Sequence, residues 1–235
     1  CVAAEDREGF EKLSSALLVS VDGDTRFDQV IQRLKENRPT KSLFKNGEKV
    51  FICGSTWPDD EDVILPALPE LCKNGLKVIL VPHEPTDKHL IQIETELQGL
   101  GLKSQRYSKI EDLAGAPVVL IDVVGILADL YKRASVAFVG GSFQKSVHSV
   151  MEPLAAGCLT LVGPYHYNNR EALQFKKWGF VQEIENTDDL LTTLRAEISR
   201  SNDNAKLRSE KIKEKVEVNA GVSQKISDWI RVHMA

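Results

Sequence analysis

Short apolar runs alternate with longer stretches of helical spacing along most of this chain. The runs at 50–53, 77–81, 118–121, 136–139 and 159–162 are four or five residues each and almost wholly apolar. Between them, apolar residues recur every three or four positions at 59–73, 86–100, 126–133, 149–156 and 169–178. Short buried strands separated by helices predict a parallel sheet covered on both faces. Weaker strands are predicted at 104–107 and 180–184, with helix from 188 to the end. The expected class is therefore α/β, a Rossmann-like parallel sheet with helices on both faces.

Punctuation refines the pattern. Asn74-Gly75 and Gly101 close helices, and Pro66 and Pro69 bend or split the helix at 59–73. Residues 1–34 read as a strand, a short helix, a second strand at 17–21 and a helix start. Asn37-Arg38-Pro39-Thr40-Lys41-Ser42 reads as a linker. Cys1-Val2-Ala3-Ala4 resembles the middle of a strand, and methionine occurs only at Met151 and Met234, so the chain is expected to be a fragment of a longer polypeptide.

Bulk properties narrow the function. The 235 residues suit one large domain, or one and a half. A net charge of −4 and a pI near 5.8 argue against a nucleic-acid binder. No apolar run approaches the ~20 residues of a membrane span, and no signal-peptide pattern is visible. Cys1, Cys53, Cys72 and Cys158 fit no metal motif and read as reduced thiols in a reducing cytoplasm. No metal site and no cofactor are expected. A serine hydrolase is excluded by the lack of a Gly-x-Ser-x-Gly elbow.

Parallel sheets bind ligands beyond the carboxyl ends of their strands, so chemistry is expected in the loops there. Gly140-Gly141-Ser142 follows one strand and precedes a helix carrying Glu152-Pro153. Glycines permit close backbone approach, and a helix start offers free N–H groups to an anion. No acid occupies the first turn, and Lys145 and His148 lie near it, so phosphate is expected here and sugar hydroxyls at Glu152. Gly54-Ser55-Thr56-Trp57 follows another strand, but Asp59, Asp60, Glu61 and Asp62 already complement the next helix dipole, which favours a cap over a phosphate contact. Pro82-His83-Glu84-Pro85 holds His83 at a strand end, as functional group or ordinary turn. Gly125 reads as a close-approach residue or an N-cap. The loop 163–169 carries aromatic and amide groups, with Asn168 bordering a ligand or capping a helix.

Taken jointly, these segments resemble the donor-binding half of 3-deoxy-D-manno-oct-2-ulosonic acid (Kdo) transferases, GT-B glycosyltransferases of lipopolysaccharide assembly. The resemblance rests on Asp22-Gly23-Asp24-Thr25-Arg26-Phe27-Asp28, Gly54-Ser55-Thr56, Val81-Pro82-His83, the run from Asp122 through Gly125 to Tyr131, and Phe138-Val139-Gly140-Gly141-Ser142 through His148 and Glu152-Pro153 to Gly157. It continues through Gly163-Pro164, Asn168 and Asn219-Ala220-Gly221. It implies inverting transfer of Kdo from CMP-Kdo to a lipid A precursor. By that likeness Glu152 holds the ribose, Gly140, Gly141, Ser142 and His148 border the phosphate, Ser55 and Thr56 line the donor side, and Pro82-His83 faces cytosine. Residues 1–40 become an interdomain remnant and linker, and 41–235 the donor domain. The acceptor surface and catalytic base are then expected in a missing N-terminal domain, with no base here and no transfer by the fragment alone. The full-length enzyme is expected at the cytoplasmic face of the inner membrane, peripherally bound, and the fragment in solution. His83 and Glu84 depart from the family's Arg-His, and Ser149 from its Asn. A donor domain for a UDP- or GDP-sugar and a non-catalytic nucleotide-sugar binding module are the competing readings.

Overall fold

The computed structural model describes residues 1–13, 19–36 and 38–233. Seven parallel strands form its centre: β1 Val50–Thr56, β2 Lys77–Pro82, β3 Ser104–Arg106, β4 Val118–Leu120, β5 Val136–Val139, β6 Leu159–Val162 and β7 Val181–Glu183. Their spatial order is β3-β4-β2-β1-β5-β6-β7. The chain builds outward from β1 on one side, then returns to place β5 against its other edge. The order therefore reverses between β1 and β5, the place beyond whose carboxyl ends open α/β sheets bind their ligands.

Alternate strand residues enter opposite cores, as the pleat requires. On one face Phe51, Cys53, Val78, Leu80 and Phe138 pack with Ile64 of α3 (Pro58–Ile64), Leu68 and Leu71 of α4 (Leu68–Lys73), Leu90 and Ile93 of α5 (Asp87–Gly99) and Leu190 of α9 (Thr187–Ser199). On the other, Ile52, Ile79, Val119 and Ala137 pack with Leu130 and Tyr131 of α6 (Leu127–Tyr131). A third cluster joins Val139, Val162 and Val181 to α7 (Met151–Ala156), α8 (Arg170–Lys177) and α10 (Asn202–Val218). Phe27 and Val30 of α2 (Arg26–Lys35) lie in that same cluster. α11 spans Val222–His233.

Three expectations change. Residues 1–4 do not form a strand; α1 (Ala4–Leu13) starts there, with Asp6 accepting from the Ala3 amide at 2.9 Å as the first turn closes. Of the strand expected at 17–21, residues 17–18 lie outside the described residues, and 19–21 join no sheet. The helix expected directly after the glycine pair starts later, at Met151. The Gly141 carbonyl accepts from the amides of Gln144, Lys145 and Ser146, closing a tight turn. Val147 and His148 then tie outward to Tyr165 and Gly140. The prolines act as expected: a 3₁₀ turn at Leu65–Ala67 divides α3 from α4.

Candidate functional site at the sheet switch point

The switch point is framed by the tips of β1 and β5. β1 runs to Thr56, with a register shift at Ser55, whose φ is +55°. A left-handed residue in a strand tip re-aims the backbone. Ser55 is half-buried here, while Thr56 is fully buried and donates its hydroxyl to Glu61 at 2.7 Å. Gly140 sits against this bulge: a Cβ there would lie 2.1 Å from the Ser55 carbonyl oxygen. Gly54 is excluded from bearing a side chain by the Tyr131 hydroxyl, 2.0 Å from where its Cβ would stand.

Asp60 organises the loop after β5. Its buried carboxylate accepts from the amides of Trp57 (2.9 Å), Gly141 (2.8 Å) and Phe143 (3.2 Å). The Gly140 amide donates to Gly54 instead. Ser142 is fully buried, donating to the Val139 carbonyl and accepting from the Gly163 amide at 2.7 Å. The amides of Gly140, Gly141 and Phe143 and the Ser142 hydroxyl thus serve bonds within the protein. Burial pushes the Asp60 carboxyl above the usual range, opposed by its three N–H donors and assisted by the neighbouring Glu61 charge.

His83, exposed at the end of β2 beyond buried Pro82, lies between two rings. Trp57 stacks on it with centroids 4.7 Å apart, and His148 at 4.5 Å. The Trp57 indole N–H donates to His148 Nε2 at 3.0 Å. An indole nitrogen only donates, so His148 Nε2 is an acceptor and the proton of the neutral ring sits on Nδ1. Burial, then the nearby His83, lower the His148 pKa, which agrees with a neutral ring.

Glu152, in the first turn of α7, lines a cavity of about 400 Å³ with Ser149, Met151, Val30, Arg26 and Arg33. That volume lies in the range of small-molecule sites. Burial raises the Glu152 pKa; Arg33 opposes this and Asp129 adds to it. Gly125 is exposed with φ of +85°, and its carbonyl lies 3.4 Å from Arg33 Nη2. Asn168 is not part of this cavity. It borders another, about 590 Å³, beside Asp24, Tyr167 and Arg170. No cluster of three or more His, Cys, Asp or Glu side chains suited to a metal ion occurs among the described residues, and no described helix is long and apolar enough to cross a membrane.

Sequence reasoning missed Trp57, Asp60, Tyr131 and Arg33 as parts of the site. Arg33 carried the only local signal: α2 places Phe27, Val30, Ile31 and Leu34 at helical spacing, the mark of a helix that buries a face.

No family model matches the chain. The 3-deoxy-D-manno-octulosonic acid transferase of Aquifex aeolicus (strain VF5) is 29% identical over 194 residues, covering 72% of this chain and 53% of its own length. The chain thus spans about half the length of that relative. Among solved structures, the C-terminal CMP-Kdo binding domain of WaaA from Acinetobacter baumannii matches with a TM-score of 0.58 and 26% identity, over 80% of this chain and 95% of that one. A Thermobaculum terrenum O-GlcNAc transferase mutant matches in fold alone, at a TM-score of 0.54 and 14% identity, over 83% of this chain and 38% of its own. Sequence and fold agree: the chain is similar to the 3-deoxy-D-manno-octulosonic acid transferases in sequence, and its parallel sheet has the GT-B fold.

Proposed function

We propose that this chain is the donor-binding part of a glycosyltransferase that moves Kdo from CMP-Kdo to a lipid A precursor, inverting the anomeric carbon. The observation that carries the reading is the position of Glu152 on the wall of a ligand-sized cavity between α2 and the start of α7. It is supported by likeness to a domain named for CMP-Kdo binding. Glu152 accepts hydrogen bonds from the ribose hydroxyls. The loop 140–148 borders the phosphoryl group, with Gly140, Gly141 and Ser142 setting its shape and His148 its inner wall. Ser55 lines the donor side, while Thr56 braces the strand tip. Pro82 and His83 face the base. Because Trp57 and His148 cover both faces of His83, the base meets the edge of this stack and does not slide between its rings. Gly125 closes the far side, while Asn168, on the separate cavity, takes no part in this arrangement.

The reading needs no metal or cofactor. Transfer belongs to the whole protein, which works at the cytoplasmic face of the inner membrane, where its lipid acceptor lies. The inverting step requires a base to take the acceptor's hydroxyl proton, and the proposal places that base outside these 235 residues. Calorimetry with CMP, UMP and AMP tests the donor assignment. CMP is expected to bind tightest, and equal affinity for the three nucleotides counts against a cytidylate site.

A further inference from the structure

An activated sugar acid is polyanionic: a phosphodiester joins the nucleoside to a sugar that carries a carboxylate. Its pocket needs a cation, and the loop after β5 offers only Lys145, which is exposed and does not line the cavity beside Glu152. The Gly141 and Phe143 amides are already bonded to the Asp60 carboxylate, which adds negative charge behind the loop. His148 is held neutral. α7 is six residues long, too short for a strong dipole.

The cavity beside Glu152 has two cations on its wall, Arg26 and Arg33, both from α2. Arg26 is committed. Its Nε donates to both oxygens of Asp24, at 3.1 and 2.9 Å, and its Nη2 pairs with the buried Glu171. Arg33 differs. Its contacts are long: Glu36 at 3.3 Å, the Gly125 carbonyl at 3.4 Å and Asp129 at 3.5 Å. Asp129 also receives Lys132 at 3.0 Å and the Arg38 amide at 3.2 Å. It therefore keeps partners if Arg33 turns away. The helix beneath Arg33 is fixed, because Val30 packs in one cluster with Met151 and Leu154 of α7, the helix that bears Glu152. The acid and the guanidinium are thus presented together on a rigid wall.

We propose that Arg33 binds an oxyanion of the nucleotide sugar whose ribose sits on Glu152. This rests on the donor-site reading above. A guanidinium meets phosphate and carboxylate alike through a planar two-pronged fork, and CMP-Kdo offers both groups. On binding, Arg33 exchanges its long contacts for short charge-assisted ones, and Gly125 and Asp129 form the other side of its swing.

Calorimetry of the whole chain with cytidine, CMP and freshly generated CMP-Kdo distinguishes the sources. R33Q is expected to weaken the anionic ligands about 10-fold, the scale of one charge-assisted hydrogen bond, while cytidine binds as before. Loss for both CMP and CMP-Kdo assigns the phosphoryl group, and loss for CMP-Kdo alone assigns the sugar carboxylate. R33K keeps the charge without the fork and should lose less than R33Q; it carries the comparison if R33Q fails to fold. Unchanged affinity for all three ligands, or a cytidine loss equal to that for CMP, overturns the role of Arg33 and leaves the donor reading standing. A wild-type chain that binds none of the three overturns both.

Discussion

Asp60 is the residue whose removal tests the site's construction most directly. Two of its three donors, the Trp57 and Gly141 amides, point at Oδ2, while the Phe143 amide points at Oδ1. Asp60→Ala strands all three. A buried unsatisfied donor costs about 1–3 kcal/mol, but Trp57 and Phe143 are only half-buried and recover part of this through water. The expected loss is about 3–4 kcal/mol. Asp60→Asn should cost less, about 1–2 kcal/mol: its single oxygen takes the Oδ2 position and keeps two bonds, and its NH₂ opposes the Phe143 amide. The substitution also relieves the penalty of a buried charge. Urea unfolding at pH 7 measures both.

A second readout comes from linkage. The Asp60 pKa is raised in the folded state, chiefly by burial, so over part of the acid range the native chain binds a proton that the unfolded chain has released. Unfolding free energy therefore falls as pH rises from about 4, the unfolded carboxylate value, through the raised native value. Asp60→Asn should remove that decline. An alanine variant within about 1 kcal/mol of wild type, or an asparagine variant as costly as alanine, would refute this role of Asp60.

Two further substitutions probe the site. Gly140→Ala places a methyl against the Ser55 carbonyl, an overpacking that should lower stability by about 1–3 kcal/mol; an unchanged denaturation midpoint would show that the strand tips yield freely. Glu152→Gln should weaken CMP about 10-fold by removing a charged acceptor, while leaving thermal stability equal or slightly higher, since burial already disfavours the charge. Wild-type affinity should then fall as acidification protonates Glu152 at a pH above its ordinary range, and the glutamine variant should lack that dependence; a large drop in midpoint with CMP affinity intact would make Glu152 structural.

The central sheet was legible because buried parallel strands leave continuous apolar runs, and β1, β2, β5 and β6 fall on theirs. The loop after β5 was not. Its glycines and nearby helix suggested an open anion cradle, yet the group that fills its amides lies 81 residues earlier. In sequence Asp60 is one of four adjacent acids at a helix start, and a dipole argument accounts for all four equally. Only the third dimension singles out the one that faces β5. The His83 stack is hidden for the same reason: Trp57 and His148 stand on different strand tips, brought together by the β2-β1-β5 order. α2 was legible in part. Its apolar spacing was visible, but not that Phe27 and Val30 would share a core with α7 and α10.

If the donor-site reading holds, charge fixes how an anionic ligand lies in the cavity beside Glu152. Asp60 stands behind the loop after β5, and Glu152 lies on the cavity wall with Asp129 behind it. A phosphoryl group 4 Å from an ionised carboxylate meets a repulsion of about 4 kcal/mol at the effective dielectric of a protein margin. That is roughly a thousandfold in affinity, more than the ribose contact returns. A ligand placed with its anion on Glu152 is therefore disfavoured, whereas neutral hydroxyls there meet an acceptor. On the donor-site reading the anion turns toward α2, where Arg33 reverses the sign of the interaction. Lowering ionic strength should strengthen CMP binding to the wild type more than to R33Q, because screening acts on the attraction that Arg33 supplies; an equal salt dependence in the two would mean that the phosphoryl group lies elsewhere.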